Sequence, residues 1–364
     1  MSSVQIIAKK RSSNLELYRI VCMLLIVAHH FAGNYGILGD WGPARVNPFA
    51  PNSLFMYLFG MWGKTGINCF VLITGYFMCT SNITLRKFVK LYLWVVSYRV
   101  IISLVFLLAG QLPVSWELLF IVFPIRSIHS DSFVSAFIIW WLFIPFLNAL
   151  VNNLDRKKHL WLIIILVMVF TIYPTVPKIL TLQGINPICW FSTLYVIASY
   201  IRRYPETIYK SESHLIWGLI TLVVVIISMV SVVAILWVNK KFSMELPWYF
   251  FVSDSNKPLA LLVAVSSFLW FKNLKIGYNK FINIVGGSTF GVLLFHTMPV
   301  MRQWLWGDVF NCVHYFELPV WQLVLYSFGV VLTVFAAGIV VDRIRIRLIE
   351  VPFFNWYDNK FVNQ

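Results

Sequence analysis

Charge is what this 364-residue sequence has least of. Asp, Glu, Lys and Arg make up 12% of it, about half the share usual in a soluble domain. A water-soluble enzyme of this length would lack polar surface, and the 60% hydrophobic content rules out a disordered chain. Cysteine is sparse too. Cys22, Cys69, Cys79, Cys189 and Cys312 are odd in number and form no C-x-x-C pair, so they read as buried soft residues, not a disulfide framework or a metal site. There is no H-E-x-x-H, no serine-hydrolase elbow and no metal-ligand cluster. Gly63, Lys64 and Thr65 spell the end of a phosphate-binding loop, but Leu58 stands where that motif needs a glycine and no strand precedes it, which excludes a P-loop. No internal repeat or low-complexity linker is evident.

Long apolar runs are abundant instead. They centre on residues 17–37, 53–79, 88–111, 132–152, 160–177, 188–201, 215–238, 258–271, 281–301 and 320–341. Runs this apolar must be helices in hydrocarbon, where unpaired backbone groups have no solvent partner. The alternating ten-residue pattern of a barrel is missing. The expected fold is therefore all-α: a polytopic membrane bundle of about ten transmembrane helices, with 188–201 and 258–271 short for the task.

Basic residues alternate from one connection to the next. Twenty fall on one side, including Lys9, Lys10, Arg11, Arg19, Arg86, Lys87 and Lys90, and seven on the other, including Arg126, Lys178 and Arg302. The remaining two, Lys64 and Arg99, fall inside spans. This bias predicts that both termini are cytoplasmic. The net charge of +15 is then a topology device assisted by anionic lipids, and needs no nucleic-acid partner. No small-residue cleavage site follows the first apolar run, so it is read as a retained span. Residues 1–364 form a single membrane domain, with 1–14 and 342–364 as cytoplasmic tails.

Ionisable groups inside a span are functional candidates. The first span carries Glu16 and Arg19 at its cytoplasmic mouth and His29 and His30 deep within it. Arg19 and His30 are eleven residues apart, about three turns, which puts them within roughly 20° of one face with a rise of about 16 Å. One helix face offers a guanidinium suited to phosphate or carboxylate and a ring suited to accept a proton near neutral pH. Taken alone, His30 fits either that role or a polar contact between helices. His296 follows a Gly-Gly-Ser-Thr stretch that permits close helix approach, and either assists a site or joins two helices. Arg99 is either a channel-lining or a paired cation. Trp140 and Trp141 are candidates to flank a sugar, with belt or packing roles as the alternative. Glu350 is placed against Arg345 or Arg347.

These residues carry a resemblance. Glu16-x-x-Arg19 followed by ten residues and His30 resembles the D/E-x-x-R-x10-H opening of the acyltransferase-3 family, bacterial integral-membrane enzymes that modify cell-surface glycans. INCFVLITGYF (67–77), LRKFVKLY (85–92), FIIWWLFIPFL (137–147), STFGVLLFHTMPV (288–300) and IEVPFF (349–354) are similar, in order, to further signatures of that family. Lys87 and Lys90 depart from it, standing where arginines are usual. No hydrolase-like domain follows the last span, as in the stand-alone form.

The resemblance implies an O-acyltransferase of the bacterial cytoplasmic (inner) membrane. It would move an acyl group, most often acetyl, from cytosolic acyl-CoA to a hydroxyl of a cell-surface or lipid-linked glycan. Acetyl-CoA is then a donor substrate, and no permanently bound cofactor is expected. The implied catalytic residues are His30, with Glu16 orienting Arg19. The implied donor-binding residues are Arg19, Arg86, Lys87, Lys90 and Arg99. His296, Trp140 and Trp141 are candidates for the substrate side. The competing reading is a flippase or exporter of lipid-linked saccharide, which should show paired repeats and broken helices. A glycan polymerase would carry large outer loops with arginines.

Overall fold

The structure is a computed structural model and describes residues 11–33, 36–39, 41–115, 133–176, 186–208, 210 and 212–361. Lys9, Lys10, Arg126 and Lys178 of the charge pattern lie outside these. Among the described residues there is no strand. The helices that build the bundle are α1 (Ser13–Gly33), α2 (Pro51–Gly60), α3 (Gly63–Met78), α4 (Leu85–Leu108), α5 (Phe133–Asn152), α6 (Arg156–Val167), α7 (Pro187–Arg203), α8 (His214–Phe242), α9 (Pro258–Lys272), α10 (Lys280–Thr297), α11 (Pro299–Gln303), α12 (Val320–Arg345) and α13 (Val351–Phe361).

Local chemistry explains where they begin. Pro51, Pro187, Pro258 and Pro299 occupy first-turn positions, where the missing N–H costs nothing. Side-chain oxygens of Thr84, Asp155, Asn186, Ser213 and Asn279 accept N–H groups of α4, α6, α7, α8 and α10, satisfying donors that apolar surroundings would strand. Inside the helices, hydroxyls turn back onto their own backbone. Thr74, Thr193, Thr221, Ser228, Ser266 and Ser327 donate to the carbonyl four residues earlier, which pairs a polar group without water.

Each predicted apolar stretch contains helix, but not each is one straight span. Among the described residues, six helical runs are long and apolar enough to cross a bilayer alone: Ser13–Gly33, Leu85–Leu108, Phe133–Asn152, Arg156–Thr175, His214–Phe242 and the run from Val320. A seventh is the pair Lys280–Thr297 and Pro299–Val309, bent by 81°. α7 and α9 have 17 and 15 residues, less than the ~20 that a straight span needs. The stretch 53–79 is divided into α2 and α3 at Met61–Trp62. The stretch 281–301 breaks at Met298, whose backbone is extended at φ −61°, ψ 140° because Pro299 follows.

The presumed C-terminal tail is also structured. α12 runs on through a π-helical turn at Ile346–Glu350 into α13, and Asp342 and Arg345 are buried.

α1 is the axis of the bundle, packing against α2, α3, α9, α10 and α12. Its Met23, Val27 and Phe31 enter one apolar cluster, and its Leu15, Tyr18 and Cys22 another. Polar cross-links pin these layers. Tyr18 Oη lies 2.7 Å from Ser267 Oγ and 2.8 Å from Cys69 Sγ. Asn68 accepts Trp190 Nε1–H at 2.9 Å and donates to Ser255 O at 2.6 Å. Large apolar residues on outward faces, such as Leu104, Ile226, Val230, Leu325 and Leu332, are exposed. That is the inversion expected when the solvent is lipid.

Candidate active site

Glycine decides how closely α1 is approached near its end. A Cβ on Gly60 would lie 2.6 Å from Ala32 Cβ, and one on Gly63 would overlap the His29 imidazole. Backbone therefore sits directly on the ring, and His29 Nδ1 is 2.6 Å from Gly60 O. A carbonyl only accepts, so Nδ1 carries the proton and Nε2 the lone pair.

The neighbouring ring is set by a longer chain of contacts. His296 Nδ1 lies 2.6 Å from Val292 O, so its proton is on Nδ1 and its Nε2 is an acceptor. His30 Nδ1 lies 2.8 Å from that Nε2 and must be the donor. The remaining lone pair is then on His30 Nε2. One backbone carbonyl thus fixes the tautomers of two histidines in series. His296 is fully buried and His30 partly accessible. Trp306, fully buried, stands against His296 with ring centroids 6.2 Å apart and edge-on to Phe31.

Both helix breaks adjoin these rings. The α2–α3 break supplies the Gly60 carbonyl to His29, and the α10–α11 bend begins two residues after His296, at Met298. Non-helical backbone within an apolar bundle is tolerated where it is buried in protein or lines a cavity.

At the other end of α1, Glu16 Oε1 receives Arg19 Nη1 at 3.2 Å and Arg11 Nη1 at 3.6 Å. Glu16 is buried, and its Oε2 has no hydrogen-bond partner. It lies against Gly286, where a Cβ would come within 2.6 Å of Oε2. Glu16 meets Gly286 and His30 meets His296, so α1 and α10 run parallel, with the ion pair at one end of their seam and the two rings at the other.

A family model described as an acyltransferase domain, Acyl_transf_3, matches residues 12–339. The chain belongs to the acyltransferase-3 family. No curated protein and no solved structure matches it. The matched residues include Glu16, Arg19, His30 and His296, so both ends of the α1–α10 seam fall inside the acyltransferase domain.

The basic group of this acyltransferase on α4 is divided among different tasks. Arg86 forms a two-pronged ion pair with Asp358, both bonds 2.7 Å, and lies over Phe354 at 4.6 Å; its fork holds α13. Lys87 donates to Asn82 O at 2.6 Å. Lys90 reaches Glu350 Oε1 at 2.7 Å. Arg99 is half-buried and nine residues beyond Lys90, which places it on roughly the opposite face of α4. The structure therefore does not gather these four into one cluster.

Trp140 and Trp141 are enclosed by packing. Trp140 is fully buried among Phe137, Phe191 and Tyr195, and Trp141 is buried against Phe88. Stacking a sugar needs an open ring face, and these faces are spent on packing between α4, α5 and α7.

A buried charge chain lies just beyond the matched residues. Asp342 Oδ1 accepts from Trp94 Nε1 at 2.9 Å, Tyr98 Oη at 3.3 Å and Arg345 Nε at 3.0 Å. Arg345 Nη2 then donates to Glu350 Oε2 at 2.7 Å. Residues five apart in an α-helix point roughly 140° apart, whereas the π-helical turn at Ile346–Glu350 closes i to i+5 and brings Glu350 back to Arg345. Arg345, rather than Arg347, is thus the partner of Glu350. Asp342 went unassigned in the sequence, although an Asp three residues before Arg345 at the end of the last apolar run is a legible signal.

Proposed function

We propose that the protein is a membrane O-acyltransferase that moves an acyl group, acetyl in the first instance, from cytosolic acyl-CoA to a hydroxyl of a cell-surface or lipid-linked glycan. Family membership carries the reaction class. The His30–His296–Val292 chain is the single observation that carries the site, because it leaves a basic nitrogen on a partly accessible ring.

In this reading His30 Nε2 removes the proton of the acceptor hydroxyl as its oxygen attacks the thioester carbonyl. The new C–O bond forms, the C–S bond breaks, and the departing thiolate takes the proton back from the imidazolium. His296 is the positioning residue. Its Nε2 accepts the Nδ1–H of His30 throughout and keeps the lone pair of that ring on Nε2. Glu16 holds Arg19 at the inner mouth, and both termini face the cytoplasm of a bacterium, as the Lys/Arg bias supports.

Reconstituted vesicles given labelled acetyl-CoA test this. Wild-type protein should consume the thioester and His30→Ala should not, at equal insertion. Undiminished turnover in His30→Ala overturns the assignment. The broken helices at Met61–Trp62 and Met298 favour a second reading, a flippase of lipid-linked saccharide. It predicts saccharide movement that does not depend on acetyl-CoA.

A further inference from the structure

A cleft of about 350 Å³ opens between the start of α1, the first turns of α4 and α10 and the end of α12. Its charge is one-sided. Arg11, Lys90, Lys280 and Arg343 line it against the single carboxylate of Glu350. That carboxylate is already committed, one oxygen to Lys90 and the other to Arg345. Lys280 and Arg343 are exposed and have no ion-pair partner among the described residues. Arg11 is shared with Glu16 and Lys90 with Glu350, so the uncompensated positive charge of the cleft comes from Lys280 and Arg343.

A second feature points the same way. Asn283, 8% exposed, lines the cleft; its Oδ1 lies 3.2 Å from Ser13 Oγ, but its Nδ2 donor has no partner. Buried donors are rarely left open. Asn283 sits in the first turn of α10, where the helix dipole also favours an anion. At Gly287 the absent Cβ leaves room for Arg11, whose Nη1 would be 2.5 Å from it. Aromatic rings complete the wall: Trp94, held by its bond to Asp342 and by Arg345 at 4.9 Å, and Tyr278 at the rim.

Cations, an open amide donor and aromatic faces together fit an aromatic base bearing several phosphates. We propose that this cleft seats the nucleotide end of the acyl donor, with Arg11, Lys280, Asn283 and Arg343 on its phosphates, in place of the Arg86–Lys87 segment. The proposal rests on the acyl-CoA reading for the identity of the ligand. Gly287 precedes His296 by nine residues on α10, about 14 Å along the axis, a span that an extended pantetheine arm covers.

The test is equilibrium binding of unacylated coenzyme A, 3′-dephospho-coenzyme A and inorganic pyrophosphate to purified full-length protein. Lys280→Ala and Arg343→Ala alter exposed residues. Asn283→Asp keeps the acceptor for Ser13 and replaces only the open donor by an anionic oxygen. Each should weaken coenzyme A binding at least tenfold, loss of the 3′-phosphate should weaken it in the wild type, and His30→Ala should bind as the wild type does. Coenzyme A binding indifferent to all three substitutions overturns the cleft and leaves the acyl-CoA reading standing. Pyrophosphate binding that depends on these residues, with no coenzyme A binding by the wild type, overturns the donor assignment and that reading with it.

Discussion

Replacing His296 by alanine isolates the step on which the proposed chemistry depends. In the wild type, His30 Nδ1–H has one acceptor, His296 Nε2 at 2.8 Å, and that acceptor exists because Val292 O holds the other nitrogen of His296. Without it, the Nδ1–H of a ring deep in the bundle has no acceptor. The tautomer with the proton on Nε2 then competes, and that form has no lone pair facing the acceptor hydroxyl. During transfer the ring becomes positive, and a hydrogen bond to a charged group is worth about 1.5–3 kcal/mol. Its loss corresponds to roughly 10–150-fold in rate, at about 1.4 kcal/mol per decade. His30→Ala removes the base itself and should cost about 10²–10⁴-fold. His296→Gln restores an acceptor oxygen and should recover part of the loss. The assay is initial-rate acetyl transfer in vesicles at saturating donor, with protein level and thermal unfolding matched. The loss should appear in kcat and not in donor KM. A His296→Ala enzyme with wild-type kcat, or a His296→Gln enzyme no better than His296→Ala, refutes the tautomer argument.

Three further outcomes follow from the packing. Gly63→Ala places a Cβ on the His29 ring, so activity should fall, and a Gly63→Ala/His29→Ala cycle should show coupling, because removing the ring removes the clash; simple additivity would deny the contact. Arg345→Met leaves Asp342 buried without its cation, which should destabilise by about 3–5 kcal/mol in denaturant unfolding, with recovery on adding Asp342→Asn; no recovery would show that the pair is not the cause. Arg86→Ala breaks a half-exposed pair with Asp358 and should cost at most about 1 kcal/mol, read as faster proteolysis of α13 with donor KM little changed. A large rise in donor KM would return Arg86 to the donor site.

How much of this was legible differs from residue to residue. The apolar stretches and the intramembrane ionisable groups were plain, since hydrocarbon tolerates few alternatives to helix. The break at Met61–Trp62 was hidden. The stretch around it stays apolar on average despite Gly60, Gly63 and Lys64, and the close contact of Gly60 and Gly63 with α1 that accompanies the break is tertiary. Met298 was different, because Pro299 is a local signal that apolar continuity outweighed. His30 and His296 were each recognised as candidates, but 266 positions separate them and spacing cannot pair residues on distant helices. The cations of α4 were visible as charge. Their partners, Asp358 and Glu350, come from helical segments that hydropathy assigned to a tail.

The most direct measurement is mass spectrometry of surface glycans from cells that carry wild-type protein, His30→Ala at equal membrane level, or no protein. The account predicts glycans heavier by one acyl group per modified hydroxyl with the wild type alone. Glycans equally acylated with His30→Ala, or unchanged by the presence of the wild type, would contradict it.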